Sequence, residues 1–177
     1  MVTDSDQADR LRAKRQALAD ERHQRELRET AGPRLVTIVN LALGLSLSVD
    51  DFLQQGDALG VFVWPKRIED APGLVAAYVD RPSAEEVLAC FDRQIGHLTG
   101  SIGFHDKAYL GFARVTDIAP TSLLEIANAC KDSVLFFVDR PKGAVLVDCY
   151  EGSRSPYSVA VQGDSLLSET VACFDKQ

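Results

Sequence analysis

Three residues that could bind a metal or move protons lie within one short stretch of the sequence: His97, His105 and Asp106. Histidine titrates near neutral pH and is a common metal ligand, so such a group is typical of acid–base or metal chemistry. A zinc site needs at least three protein ligands in matched geometry, and the remaining histidine, His23, lies in a charged N-terminal stretch. We therefore predict no metal and no other cofactor. A small enzyme that uses the 96–106 loop with Cys or Asp partners stays open as an alternative.

The same stretch contains Gly96, Gly100 and Gly103 in the spacing GxxxGxxG. A phosphate-binding glycine loop runs from a strand into a helix N-terminus, where backbone amides converge on the phosphate. Here the glycines follow a predicted helix and precede a predicted strand, so we expect a glycine-rich turn at 96–103.

The four cysteines show neither metal-binding nor redox spacing. Cys90, Cys130, Cys149 and Cys173 include no CxxC pair. Each lies in an apolar segment, where a thiol acts as a small hydrophobic side chain. The N-terminus has no apolar signal segment, which favours a reducing compartment. We expect four reduced, mostly buried thiols in a cytoplasmic protein and no catalytic nucleophile.

The formal net charge of −7 is unevenly distributed. Residues 1–33 contain seven acids and seven bases, so residues 34–177 carry the whole excess of acid. An acidic domain disfavours nucleic acid and anionic membranes, because both require clustered Lys and Arg, and it favours a basic protein partner. No apolar run reaches the ~20 residues of a membrane span. The abundance of Ala, Arg and Asp suggests a bacterial source.

Residues 1–33 are predicted to form a charged, partly helical arm that ends at Gly32-Pro33. Its acids and bases recur at i,i+4 spacing, and it has almost no apolar face. Deleting residues 1–30 should therefore leave the remaining domain folded. A homodimer joined through the arm, as in a self-assembly subunit, is an open alternative.

Residues 34–177 are predicted to form one compact α+β domain, an antiparallel-rich sheet covered by two or three helices. Apolar periodicity predicts a short helix at 35–39 that runs into a strand at 41–49, where apolar residues alternate with small ones. Capping-box patterns predict helices that begin at Ser83 and Ser122. Further strands are predicted at 59–64, 108–116, 134–139, 144–150, 157–161 and 170–174.

A hairpin around Arg140-Pro141-Lys142-Gly143 is the most informative feature of the sequence. A turn centred on Pro141-Lys142 places Phe137 opposite Leu146. One face of the hairpin is then wholly apolar: Val134, Phe136, Val138, Val145, Val147 and Cys149. The other face combines apolar residues with acids: Leu135, Phe137, Asp139, Leu146, Asp148 and Tyr150. The second face is either a second core surface or a docking surface.

Together these patterns favour a non-catalytic, acidic protein-binding module. Such a module would sequester or neutralise a basic or partly unfolded protein, as immunity proteins and chaperones of similar size and charge do. The predicted anchors are Phe137, Leu146 and Tyr150, and the predicted acids are Asp139, Asp148, Asp50 and Asp51. Buried apolar anchors set affinity, while surface acids accelerate encounter with a basic partner.

Overall fold

The computed structural model describes residues 4–53, 75–105, 107, 109–150 and 156–174. Its helices are α1 (Asp4–Leu43), α2 (Arg81–Ile95), α3 (Thr121–Cys130) and α4 (Asp164–Thr170). Its strands are β1 (Phe52–Leu53), β2 (Val75–Val79), β3 (Leu98–Phe104), β4 (Phe112–Ile118), β5 (Val134–Val138), β6 (Gly143–Cys149) and β7 (Tyr157–Gln162). Within these residues, no helix combines the length and the apolar character that a bilayer crossing requires. The strand predicted at 59–64 lies outside the described residues.

The described strands form one seven-stranded antiparallel sheet in the order β1-β4-β3-β5-β6-β7-β2. Helices α2, α3 and α4 pack on one face of this sheet, and α1 packs on α3. The predicted α+β class, with an antiparallel sheet, covering helices and an N-terminal helix, is confirmed. The two edge strands of this sheet, β1 and β2, follow one another in the order of the described strands.

Both faces of the central sheet are buried. The helix-side face contributes Ile102, Phe136, Val145 and Val159, all 0 % exposed, to the main core. The second face forms its own apolar cluster, whose members are 0 to 6 % exposed: Phe112, Leu135, Phe137, Ala144, Leu146 and Ala160. The near-continuous apolar sequence of β5 and β6 follows from this two-sided burial.

Helix α1 is longer than predicted, because it continues through Gly32-Pro33 to Leu43. Proline removes one helical hydrogen bond. Leu35, Val36 and Val39, which recur at helical spacing, are buried on the C-terminal side of Pro33, and this packing offsets the loss. The helix therefore does not end at this dipeptide, where the arm was predicted to end, but continues for ten more residues.

The strand predicted at 41–49 is also wrong, because α1 ends with a helix-terminating turn inside it. Gly44 adopts a left-handed φ of 64°, and the Leu45 amide donates to the Asn40 carbonyl at 3.1 Å. The Asn40 side chain then bonds both backbone groups of Leu47, at 2.8 Å each. These local bonds satisfy the backbone without a partner strand, so the alternating apolar pattern is not expressed as a strand.

Helices α2 and α3 confirm the predicted positions but begin earlier than the serines suggest. Asp80 is the N-cap of α2, accepting a hydrogen bond from the Ser83 amide at 3.0 Å. Pro82 occupies the first turn, where proline is favoured. Pro120 precedes α3, which begins at Thr121.

The predicted glycine-rich turn at 96–103 is wrong, because the turn is limited to Gly96 and His97 and residues from Leu98 onward form β3. A Cβ atom at Gly103 would lie 2.5 Å from the Phe112 ring, and one at Gly100 would overlap the Phe137 carbonyl oxygen. The two strand glycines permit close approach of neighbouring groups.

The β5–β6 hairpin has the predicted faces but a register shifted by two residues. Phe137 pairs with Ala144 and Leu135 with Leu146. The Asp139 amide donates to the Thr99 carbonyl of β3 at 3.0 Å, so the loop takes up Asp139 to Lys142. A shift of two preserves the side of every side chain, because the strand period is two.

The strand predicted at 170–174 is a short helical segment, formed by the end of α4 and the 3₁₀ turn Val171–Cys173. Phe174 packs edge-on against Phe91 of α2, with ring centroids 5.7 Å apart. Cys173 forms a disulfide with Cys90, whose Cα lies 5.7 Å away. The expectation of four reduced thiols is therefore wrong. The linear sequence does not show that the C-terminus returns to α2.

Candidate functional site

The structure places the predicted hairpin anchors at different depths. Phe137 and Leu146 are 6 % and 0 % exposed, whereas Tyr150 is 39 % exposed. The Tyr150 hydroxyl donates to Asp148 Oδ2 at 3.0 Å, and Asp148 itself is 3 % exposed. A partner that contacts the hairpin as it stands in the structure would therefore reach Tyr150, but not the other two anchors.

The two hairpin acids do not form one site. Asp139 lies at the loop end of the hairpin and Asp148 near the opposite end of β6. Asp139 binds Arg114 of β4 through both carboxylate oxygens, and this hydrogen bonding holds the pKa of Asp139 below its usual value. The structure thus brings Tyr150 and Asp148 together and separates Asp139 from them.

The histidines of the proposed 96–106 loop lie at opposite ends of β3. The strand separates His97 from His105 by about 26 Å, at ~3.3 Å per residue. His97 Nδ1 lies 2.7 Å from Asp117 Oδ1, and its Nε2 lies 3.9 Å from Asp92 Oδ1. Asp106 lies outside the described residues. No group of three metal-ligating side chains occurs among the residues that the structure describes.

Cys130 lies beside a buried ion pair at the end of α3. Lys107 Nζ binds Asp132, whose side chain is 2 % exposed, and Asp132 Oδ1 accepts the Ser133 amide at 2.8 Å. Burial, followed by the negative charge of Asp132, raises the pKa of Cys130 to about 12. Such a thiol stays protonated at neutral pH and is a poor nucleophile.

Asp50 and Asp51 are exposed, and Leu53, two positions after Asp51 on the edge strand β1, is 56 % exposed. We call these three residues the root patch. Hydrogen bonds from the Ser48 backbone amide and hydroxyl, at 2.7 and 2.8 Å, lower the pKa of Asp51. The patch therefore combines negative charge with apolar surface.

Arg28 of α1 fixes the backbone of the root patch. Its guanidinium donates to the carbonyl oxygens of Val49 and Phe52, both at 2.7 Å, and to that of Leu110. These bonds join α1, the 3₁₀ turn Val49–Asp51 and the segment before β4, so the patch lies on a constrained part of the chain. Charge-assisted bonds of this kind are stronger than neutral ones.

On the N-terminal side of Arg28, α1 extends away from the sheet. Every side chain from Asp9 to Glu26 is exposed, and this segment is called the arm below. Leu11 and Leu18 are 51 % and 57 % exposed. Side chains three, four or seven positions apart share one side of a helix. The two leucines therefore share a surface, here called the leucine face, with Lys14, Arg15 and Arg22.

The bases of the leucine face are not neutralised within the part of the chain that the structure describes. Lys14, Arg15 and Arg22 form no ion pair there. Sequence reasoning missed this face, because the arm is neutral as a whole. The signal is present in the sequence, as a 3.6-residue periodicity of leucines and bases.

No family model matches the chain, and no curated protein or solved structure matches it at a significant level.

Proposed function

We propose that this chain is a non-catalytic, acidic protein-binding module that sequesters a basic or partly unfolded protein partner through the root patch. The observation that carries the proposal is the exposure of Leu53 together with that of Asp50 and Asp51, which precede it by three and two positions in the chain. An apolar anchor at a charged rim is the usual composition of a binding surface, in which the anchor supplies affinity and the charges accelerate encounter.

Two further features support this function. Residues 34–177 carry the net charge of −7, so a basic protein is attracted from a distance that falls with salt concentration. The root patch is also held in place by Arg28. A surface that is ordered before binding loses less conformational entropy when the partner docks.

The test begins with capture of partners from a host lysate on the immobilised full chain, followed by mass spectrometry. Association and dissociation rates of the purified partner are then measured for Asp50→Lys and Leu53→Ser. Glu169→Lys and Val171→Ser are the matched controls, because both residues are exposed and lie at the end of α4 and in the turn that follows it.

Asp50→Lys should slow association and flatten its salt dependence, with little change in dissociation. Leu53→Ser should speed dissociation by about tenfold or more if the side chain is an anchor. The controls should leave both rates within about twofold of the parent, as rim positions do. Equal effects of the patch and control variants would refute the proposed site.

The hairpin residues Phe137 and Tyr150 stay a second prediction for partner contact. Phe137→Ala should lower the melting temperature, because the ring is buried against Phe112 with a centroid distance of 5.3 Å. Tyr150→Ala separates the two roles, since this side chain is 39 % exposed. Melting and binding are measured on the same samples. Normal binding by the folded fraction of both variants would exclude the hairpin as a docking surface.

A further inference from the structure

We propose that the arm of one copy docks through its leucine face on the root patch of a second copy, so that the chain forms a closed dimer. This inference rests on the proposed function, in which the same patch binds a basic segment. It names one such segment: the arm of this chain.

The leucine face and the root patch are complementary in charge, and both expose apolar surface. The leucine face presents two half-exposed leucines among three bases that form no ion pair with any residue the structure describes. The root patch presents one half-exposed leucine beside two acids. Opposite charges steer two such surfaces together, and the leucines exclude water at the centre of the contact.

The charge of the arm itself disfavours pairing of two leucine faces. Arg25 lies on the same side of the helix but is paired with Glu21 at 3.5 Å. Glu26 shares this side of the arm with three bases, Lys14, Arg15 and Arg22, so this side is net basic. Two such surfaces repel each other, whereas each attracts the acidic patch.

The arm cannot reach the root patch of its own chain while α1 is continuous. Leu18 lies ten residues before Arg28, which binds the patch backbone, so it is about 15 Å away along the same continuous helix. Leu11 lies about 25 Å away by the same rise per residue. Contact with the own patch would require a break in α1 between the arm and Arg28. A second copy meets the requirement with the helix intact.

Two copies can form both contacts at once in a closed dimer. Each copy has one arm and one root patch, so a two-fold dimer satisfies both contacts at once and leaves neither surface unmatched. The second contact then forms at the high effective concentration that the first creates. Two small contacts can thereby produce a stable dimer.

Sedimentation equilibrium of the full chain, at low and at high salt, tests the proposal. The parent should dimerise, and added salt should weaken the dimer. The double variant Lys14→Glu/Arg15→Glu should weaken dimerisation by at least about tenfold. Arg10→Glu/Arg12→Glu is the matched control, since it changes the charge equally in the same segment, away from the leucine face. This control should change the dissociation constant of the dimer by no more than about threefold.

Two further variants test the leucines and the patch. Leu11→Ser/Leu18→Ser should weaken the dimer at least as much as the charge reversal does. Asp50→Lys/Asp51→Lys should also dissociate the dimer when studied alone. Mixed with Lys14→Glu/Arg15→Glu, it should form a heterodimer, because each arm then meets a patch of opposite charge. Far-UV circular dichroism confirms that each variant is folded.

A parent that is monomeric up to ~1 mM, a concentration at which even weak contacts form, overturns the proposal. So do equal effects of the two arm charge variants, or normal dimerisation of the patch variant. Binding of the parent arm to anionic vesicles or to duplex DNA, lost in Lys14→Glu/Arg15→Glu, together with a monomeric parent, would assign the leucine face to that ligand. The proposed function is judged separately, by the partner kinetics of Leu53→Ser, and survives if the chain is a monomer that captures a basic protein.

Discussion

Cys130 illustrates how position decides the chemistry of a residue that the sequence marks only as a thiol. Its pKa is raised to about 12, first by burial and then by the charge of Asp132. The protonated thiol reacts slowly with electrophiles, because the thiolate is the nucleophile. Cys90 and Cys173 are removed from such chemistry by their disulfide.

We therefore predict that Cys130 in the native protein resists alkylation by iodoacetamide through pH 9. The reaction should accelerate when the chain unfolds and its pKa returns to about 8.5. Peptide mapping after alkylation under non-reducing conditions measures the modification of Cys130 and also detects the disulfide-linked peptides of Cys90 and Cys173. Rapid alkylation of native Cys130 at pH 8, with Cys149 as the internal comparison, would contradict this assignment.

At the scale of the element, the start of α2 depends on one carboxylate. Hydrogen bonds from the Ser83 side chain and backbone amide lower the pKa of Asp80, the N-cap residue. A lowered pKa in the folded state means that the carboxylate stabilises the fold above its unfolded pKa near 4. This stabilisation is lost as the pH falls through the folded value.

Asp80→Ala should accordingly lower the melting temperature at pH 7, and the difference from the parent should shrink as the pH falls below about 4. Asp80→Asn retains an acceptor for the Ser83 amide, so its deficit at pH 7 should be smaller, and it should shrink over the same pH range because this variant also lacks the carboxylate. Thermal unfolding followed by circular dichroism between pH 2 and 7 measures both variants. A deficit of Asp80→Ala that is constant over this range would rule out the carboxylate as the cause.

The elements also show which sequence patterns predict structure. The two faces of the hairpin were predictable, because alternation of side chains persists whatever the register. The register itself was not, because the hairpin closes at the Val138–Gly143 pair around four loop residues, not around the two that a turn centred on Pro141-Lys142 predicts. The alternating pattern at 41–49 does not form a strand, because the local bonds of Asn40 replace those of a partner strand.

The candidate site was less predictable than the fold. Asp50 and Asp51 were identified as surface acids, but the exposure of Leu53 depends on its position on an edge strand. Phe137 and Leu146 were expected as either core or anchor residues, and their burial depends on the second face of the sheet, which a single hairpin cannot reveal. The leucine face of the arm was predictable from helical periodicity alone.

For the whole molecule, the contacts of Arg28 locate the point at which the arm joins the domain. At concentrations low enough for the parent to be monomeric, removal of residues 1–26 should leave the melting temperature nearly unchanged, because the side chains from Asp9 to Glu26 are exposed. Removal of residues 1–30 eliminates Arg28 and should lower stability by about 2 kcal/mol or more, the usual loss for hydrogen bonds to a charged group. Arg28→Ala in the full chain should reproduce most of this loss. Thermal and urea unfolding of the three proteins, with Arg25→Ala as the exposed control, distinguishes them.

The placement of β1 and β2 at opposite edges of the sheet has a kinetic consequence. They follow one another among the strands that the structure describes, yet five other strands lie between them in the sheet. The β3–β4, β5–β6 and β6–β7 pairs join strands that are neighbours in the chain and can form early, because they close short loops. The edge strands β1 and β2 have no strand to pair with until β4 and β7 have been ordered by these pairs. Folding should therefore proceed from the centre of the sheet outward, with φ-values near zero for Val75→Ala and high values in β5 and β6. These two strands, which precede the other described strands in the chain, would then be the last to become ordered, and during that interval the growing sheet has unpaired strands at both of its sides.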